Sequence, residues 1–193
     1  MNDEEDKKPE APGSGLLAEK LFKKRQIIIT GQITERTAHA TTASLLALAA
    51  DNDEPINLFI SSPGGHVESG DMIFDMIRFV KPQVRIIGSG WVASAGALIF
   101  IAAQKQNRLC LPNTRFLLHQ PSGGMGGQAT DIAIQAEQII KMKDRLNQMF
   151  ALETGQPLEK ITQDTDRDFW MDPQQAIDYG LLHKVIRSES ELY

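Results

Sequence analysis

Short β-branched runs alternating with helical stretches make this an α/β protein, one domain built on a largely parallel sheet. Three observations carry that reading. Brief apolar runs recur at residues 27–30, 56–60, 84–87 and 115–118, each too short for a helix and rich in Ile, Val, Leu or Phe. Between them lie segments whose apolar residues fall at helical spacing. The 193 residues, 41% of them apolar, are one domain's worth of chain and enough to bury a core.

Residues 1–15 hold five acidic residues, two lysines and two prolines, with no large apolar residue after Met1. They are expected to form a flexible acidic tail, and residues 16–193 the domain. With no periodic signal, the tail reads as a solvated leader in preference to a partner-binding arm. A short helix over 16–24 leads into the buried strand 27–30. The Ala- and Leu-rich stretch 37–50 is helical, 56–60 is a strand, and 61–65 (Ser-Ser-Pro-Gly-Gly) is a turn. Met72, Ile73, Met76, Ile77 and Val80 line one face of a helix over 67–80, which Lys81-Pro82 ends. Strand 84–87 is followed by a turn at Gly88-Ser89-Gly90 and an apolar, buried helix over 93–103. Strand 115–118 opens onto the glycine-rich stretch 121–127. The longest helix, 129–153, carries Ile132, Ala136, Ile139, Ile140, Leu146, Met149 and Phe150 as one stripe, and Gly155 caps its end. It runs close to about 40 Å, far enough to reach beyond its own core. A last strand covers 181–186.

Lys and Arg number 20 against 25 Asp and Glu, for a formal charge of −5. With no basic cluster, nucleic acid is not an expected partner, because phosphate binding needs concentrated Lys and Arg. The lone cysteine, Cys110, excludes an internal disulfide framework and a Cys-based zinc site, and it fits a reducing compartment, so a cytoplasmic location is expected. The N-terminus has neither the basic start nor the apolar stretch of a secretory signal. The most apolar window, 93–103, is about half of the roughly 20 residues that cross a bilayer, so neither export nor a membrane span is expected.

Ser94 stands in Gly90-Trp-Val-Ala-Ser-Ala-Gly96, after a strand and a glycine turn and at the first turn of a buried helix. A hydroxyl there meets helix N-terminal N–H groups, which favour developing negative charge. Strand, turn, serine and helix in that order have the logic of a nucleophile elbow, without the full G-x-S-x-G because Val92 stands at the first glycine's place. Serine is also favoured there as an N-cap, and spacing alone gives that plainer role the better odds. Four histidines could supply a base. His39, on an Ala/Thr-rich helix, and His183, in the last strand, read as packing or surface residues. His66, after Gly64-Gly65, reads as a loop residue close to a site. His119 ends an apolar strand and opens a glycine-rich segment, where a parallel sheet presents residues to ligands; a strand-end histidine bonded to backbone is the alternative.

A carboxylate is needed to hold the histidine tautomer. Asp164, Asp166 and Asp168 cluster just before Phe169 and Trp170, and Asp168, beside the apolar pair, is expected to be the partly buried one. A charge run is ordinarily a wet face, so composition by itself does not select it. Gly64-Gly65 would let backbone N–H groups approach a reacting oxygen, as an oxyanion hole requires, or would simply make a tight turn.

Taken together, Ser62-Pro-Gly-Gly65, Ala93-Ser-Ala-Gly96, Leu111-Pro-Asn113, His119-Gln-Pro121, Gly127-Gln-Ala-Thr-Asp131, Thr165-Asp-Arg-Asp168 and Tyr179-Gly-Leu181 resemble the proteolytic subunit of the Clp protease, ClpP, over residues 20–187. The resemblance implies the crotonase-like ClpP fold with a protruding handle helix, and a serine endopeptidase that hydrolyses unfolded proteins to short peptides. It implies Ser94 as nucleophile, His119 as general base and acid, Asp168 as the orienting carboxylate, and the N–H groups of Gly65 and Ala95 as the oxyanion hole. Substrate would lie extended between residues 65–67 and 121–123, against His66, Val67, Pro121 and Ser122, in a strand-addition mode. Also implied are two stacked seven-membered rings joined through helix 129–153 and the adjacent glycine-rich strand, with Asp166 and Arg167 contacting the opposite ring. No metal or organic cofactor is implied; ATP would be used by a separate AAA+ unfoldase such as ClpX or ClpA.

The chain also departs from the family's pattern. An acidic, Pro-rich segment replaces the usual apolar N-terminus, Ala95 stands for Met, Ser122 for Leu and His183 for Asp, and His66 and Gly126 are less usual choices. The changes at Ala95 and Ser122 bear on the size and polarity of the side-chain pocket. Such traits suggest a divergent paralogue, and an alternative in which the chain is a weakly active or regulatory ring subunit that needs a second ClpP type. A crotonase-type acyl-CoA enzyme is a third reading, opposed by the Ser, His and Asp set because such enzymes commonly use carboxylates for acid and base work.

Overall fold

The computed structural model describes residues 14–123 and 126–192. The acidic tail expected over 1–15 thus lies outside the described residues except for Ser14 and Gly15, which open helix α1 (Ser14–Lys23). Three parallel strands form the spine of the sheet: β1 (Gln26–Thr30), β2 (Ile56–Ser62) and β3 (Val84–Ala93). Helices α2 (Glu35–Asp51) and α3 (Val67–Phe79) make the crossovers that parallel pairing demands. Thr34 caps α2 by accepting from the Thr37 N–H.

The sheet divides at β3. Its first half pairs with β4 (Arg108–Cys110), Ile86 opposite Arg108 and Gly88 opposite Cys110. Its second half pairs with β5 (Arg115–Leu118), Trp91 opposite Arg115 and Ala93 opposite Leu117. The turn expected at Gly88-Ser89-Gly90 is therefore a bend inside one ten-residue strand. Gly90 takes φ 64° there, and the β2 register shifts between Ile60 and Ser62. An added Cβ at Gly88 would meet Val92 Cγ2 at 3.0 Å and Thr114 Cγ2 at 3.3 Å, so glycine is what lets the two branches close up.

Helix α4 (Ala95–Phe100) starts directly after β3. It is shorter than the expected 93–103 because Ala93 is still paired with Leu117. Four elements have no counterpart in the sequence reading: β4, α6 (Leu158–Asp164), β6 (Phe169–Met171) and α7 (Pro173–Tyr179). β6 runs antiparallel on β5, against the expectation of parallel pairing, because the long excursion of chain over residues 119–168 returns it alongside β5 in the opposite direction. β7 (Lys184–Val185) lies on β4 and is shorter than the expected 181–186. Under the branch point the core is continuous, with Leu58, Ile60, Ile86, Val92, Phe100 and Phe116 fully buried. The Phe100 and Phe116 rings pack at 5.2 Å between centroids.

Helix α5 (Ala129–Thr154) has 26 residues, about 39 Å at 1.5 Å per residue. Its buried residues, Leu146, Asn147, Phe150 and Thr154, all lie in its second half, and Ile132, Ile134 and Ile140 are exposed in the first. The helix projects from the domain, as its length requires. No helix among the described residues is long and apolar enough to cross a membrane.

Arg108 is a buried tie between the ends of α4 and α5. Its guanidinium donates to the carbonyls of Ala103 at 2.8 Å, Ile101 at 3.0 Å and Glu153 at 2.8 Å, and to the Glu153 carboxylate. Burial pulls its pKa below the ordinary arginine value, and Glu153 opposes that pull. Arg108→Met takes the guanidinium from the Ala103 and Glu153 carbonyls and leaves the Glu153 carboxylate to Arg78 alone, and is expected to lower the unfolding free energy by at least about 2 kcal/mol. Urea denaturation reads this, and a loss under about 1 kcal/mol would mean that water replaces the guanidinium without cost. Cys110 is buried, and burial pushes its thiol up to about 11. Its thiolate fraction at pH 8 is then on the order of one in a thousand. Iodoacetamide is expected to alkylate Cys110 only after denaturation, as read by intact mass; rapid alkylation of the native protein would contradict this.

Candidate active site

Three neighbouring strands end or begin at one place. Phe116, Leu117 and Leu118 of β5 pair with Met171, Trp170 and Phe169 of β6. The next pair in that antiparallel register is His119 and Asp168, and their side chains meet with His119 Nδ1 3.1 Å from Asp168 Oδ1. On the other side of β5, the Ser94 N–H extends the parallel ladder to the Leu117 carbonyl at 3.0 Å. Ser94 and His119 line one small pocket with Val67, Pro121, Leu146 and Phe150. They make no hydrogen bond to each other there, while the His119 to Asp168 link is formed.

Ser94 has φ 55° and ψ −122°, a left-handed backbone that costs a non-glycine residue about 1–3 kcal/mol. It holds the N-cap position of α4, yet its hydroxyl makes no capping bond. A capping serine has an extended backbone and accepts from a helix N–H, so capping does not account for Ser94. The strain is what a sharp strand-to-helix turn imposes when it presents a side chain.

Gly64, at φ 96°, is wedged against that turn. A Cβ there would lie 2.6 Å from Ser94 Cβ and 2.9 Å from the Ala93 carbonyl oxygen. Ser62 Oγ accepts from the Gly64 N–H at 3.0 Å. The Ile33 N–H donates to the Gly64 carbonyl, and the His66 N–H to the Ile33 carbonyl, each at 2.9 Å. This bridge leaves the Gly65 N–H on its other side, and Ala95 heads its helix with no intrahelical acceptor for its own N–H. Among the described residues, neither N–H is taken up by a turn or cap carbonyl.

The remaining candidates fall on either side of this pocket. Pro121, Ser122, Asp166, Arg167 and Asp168 line an open groove beside His119. Gly124 and Met125 of the glycine-rich run lie outside the described residues, and the described part of that run forms no strand in the single chain. His66 places Nδ1 2.8 Å from Ser69 Oγ and Nε2 3.1 Å from Glu68. Asp166 lies 4.0 Å from Lys143 of α5. His39 and His183 are exposed, as expected.

The expectation that Asp168 is the partly buried carboxylate is wrong. Its side chain is 64% exposed, whereas that of Asp164 is 18% exposed. The last turn of α6 points Asp164 inward, where it accepts from the Tyr179 hydroxyl and from Lys160, each at 2.7 Å. Burial and that carboxylate hold the Tyr179 phenol far above its ordinary pKa. Near the same strand ends, the Arg115 guanidinium lies 4.2 Å from the centre of the Trp170 ring. Among the described residues, no group of three or more His, Cys, Asp or Glu is disposed to hold a metal ion.

A divided α/β sheet that brings a strained serine, and a histidine linked to a carboxylate, to its strand ends defines the class: a candidate serine hydrolase. A model of the Clp protease family matches residues 13–189. The ATP-dependent Clp protease proteolytic subunit of Paracoccus denitrificans is 64% identical over 175 residues, 91% of this chain and 88% of that one. Proteolytic subunit 3 of Rhizobium etli is 56% identical over 194 residues, covering 100% of each. Among solved structures, ClpP1 from Listeria monocytogenes aligns with a TM-score of 0.84 at 45% identity, over 92% of this chain and 99% of that one. This chain belongs to the Clp protease family, and the expected ClpP-like fold is the one observed.

Gly64→Ala tests how tightly the serine turn is built. The added methyl meets Ser94 and backbone at a φ that disfavours it, and is expected to cost at least about 2 kcal/mol of stability. A thermal melt reads the loss, and an unchanged melting temperature would mean that the turn yields freely.

Proposed function

We propose that this chain is the proteolytic subunit of an ATP-dependent Clp protease, a serine endopeptidase that cuts unfolded proteins into short peptides. The observation that carries the reading is the 3.1 Å link from His119 Nδ1 to Asp168, in a histidine that shares its pocket with strained Ser94. Bonded in this way, Nδ1 carries the proton and Nε2 is left as the base. Nε2 takes the proton from Ser94 Oγ as Oγ attacks the peptide carbonyl, which requires the two to close up from their separation in the single chain. The carbonyl oxygen becomes an oxyanion, and the Gly65 and Ala95 N–H groups receive it. His119 then protonates the leaving amine, and Asp168 stabilises the imidazolium between the two transfers. Water, deprotonated by His119, attacks the acyl carbon, and His119 returns the proton to Ser94 Oγ as the ester bond breaks and the new carboxylate leaves.

Substrate lies as an added strand between residues 65–67 and 121–123, with His66, Val67, Pro121 and Ser122 against its side chains. The chemistry uses no metal or organic cofactor. The peptidase domain opens with α1 at Ser14. Two stacked rings of seven, joined through the projecting half of α5 with Asp166 and Arg167 across the seam, enclose a chamber. A separate AAA+ unfoldase, such as ClpX or ClpA, spends the ATP and feeds it, and the cytoplasm is the compartment. The description of the relatives as proteolytic subunits favours an active subunit over a regulatory one that depends on a second ClpP type.

A fluorophosphonate is expected to label Ser94. Ser94→Ala should abolish labelling and lower peptide hydrolysis by at least about 10³-fold, with the native assembly mass unchanged. An adduct on another residue, or hydrolysis that survives Ser94→Ala, would overturn the assignment.

A further inference from the structure

The β5–β6 ladder ends at Leu118 and Phe169, one position short of the His119 and Asp168 pair. Pairing alone therefore does not fix the carboxylate. The Asp168 side chain is 64% exposed, and its one side-chain hydrogen bond among the described residues is to His119. A hydrogen bond so open to water is weak and does not by itself hold one geometry. Something else must keep the segment before Asp168 in place.

We infer that Gln120 is a positioning residue for the His119 and Asp168 pair, an inference that rests on the peptidase reading above. Gln120 follows His119 directly and grips the chain just ahead of Asp168 at two points. Its backbone N–H donates to the Thr165 carbonyl at 2.7 Å, and its side-chain amide donates to the Asp166 carbonyl at 2.7 Å. The amide also lies 3.4 Å from Asp166 Oδ1. Thr165 is itself buried, with its hydroxyl 3.0 Å from Asn147 Oδ1 on α5. The imidazole and the carboxylate are thereby mounted on one hydrogen-bonded frame. Without the side-chain amide, the backbone bond to Thr165, the ladder and the Asp164 to Tyr179 bond all remain. The loss therefore falls on the aim of Asp168 and not on the fold.

Gln120→Met keeps the length of the side chain and removes its donor. On a fluorogenic peptide it is expected to lower kcat about tenfold, part of the roughly 10²–10⁴-fold that acid–base catalysis supplies, with KM changed by less than about twofold. In an Asp168→Asn background the same change should have no further effect, because what Gln120 positions has already been lost. Light scattering on each variant checks that the compared species are equally assembled. The inference is overturned if Gln120→Met matches the wild type, if it costs the same factor in both backgrounds, or if its effect vanishes at equal assembled fraction. If wild-type Ser94 takes no fluorophosphonate label, the peptidase reading falls and this one falls with it. Labelling with an additive cycle sinks the Gln120 role alone.

Discussion

The division of β3 between two partners is the constraint from which the rest of the structure follows. A strand that stayed with β4 along its whole length would carry Ser94 away from β5. Because Gly88 and Gly90 allow the bend, the second half of β3 pairs with β5 instead, and Ala93 comes to lie opposite Leu117. β5 then delivers His119 just past its end, and β6, laid antiparallel, delivers Asp168 just before its beginning. Strands of one sheet thus bring residues separated by 25 and 49 positions in the chain to the same place. Gly64 completes the arrangement from β2 by packing where any side chain would push the serine turn aside.

The same domain supports a helix that it only half buries. Arg145 of α5 makes two bonds to Asp71 of α3, at 2.7 and 2.6 Å, and Arg108 ties the helix end to the chain after α4. Asp71 holds the Arg145 guanidinium above its ordinary pKa. Beyond Arg145 toward its N-terminus, the helix presents Ile132, Ile134 and Ile140 to solvent, and none of the described residues covers them. Rigidity at the base and exposed apolar surface at the tip are what a lever joining two bodies requires.

How legible each part is in the sequence depends on how much of it is local. The elements up to α4 bury whole faces, so the period of apolar residues reveals them; only the bend at Gly88 to Gly90 misleads, because a glycine pair marks a turn and a kinked strand alike. The strands β4 and β6 are three residues long and have no period to read. Helix α7 is the instructive miss. Asp172-Pro173 with Gln175 forms a capping box and Gly180 the C-terminal cap, a local signal hidden beside a charged run. Ser94 and His119 are legible from their strand-end context. Choosing among Asp164, Asp166 and Asp168 is harder, since burial there depends on which way the last turn of α6 faces. The grip of Gln120 on Asp166 spans 46 residues, and no local pattern encodes it.

The Arg115 guanidinium stacked on Trp170 has a practical side. Trp170 lies two residues beyond Asp168, and the chain's other indole, Trp91, pairs across β3 with the same Arg115. Trp170 therefore reports on a cation at the junction of the three strands. If β6 peels from β5, an indole parts from the charge beside it, and the emission spectrum of the unlabelled protein records the event in real time.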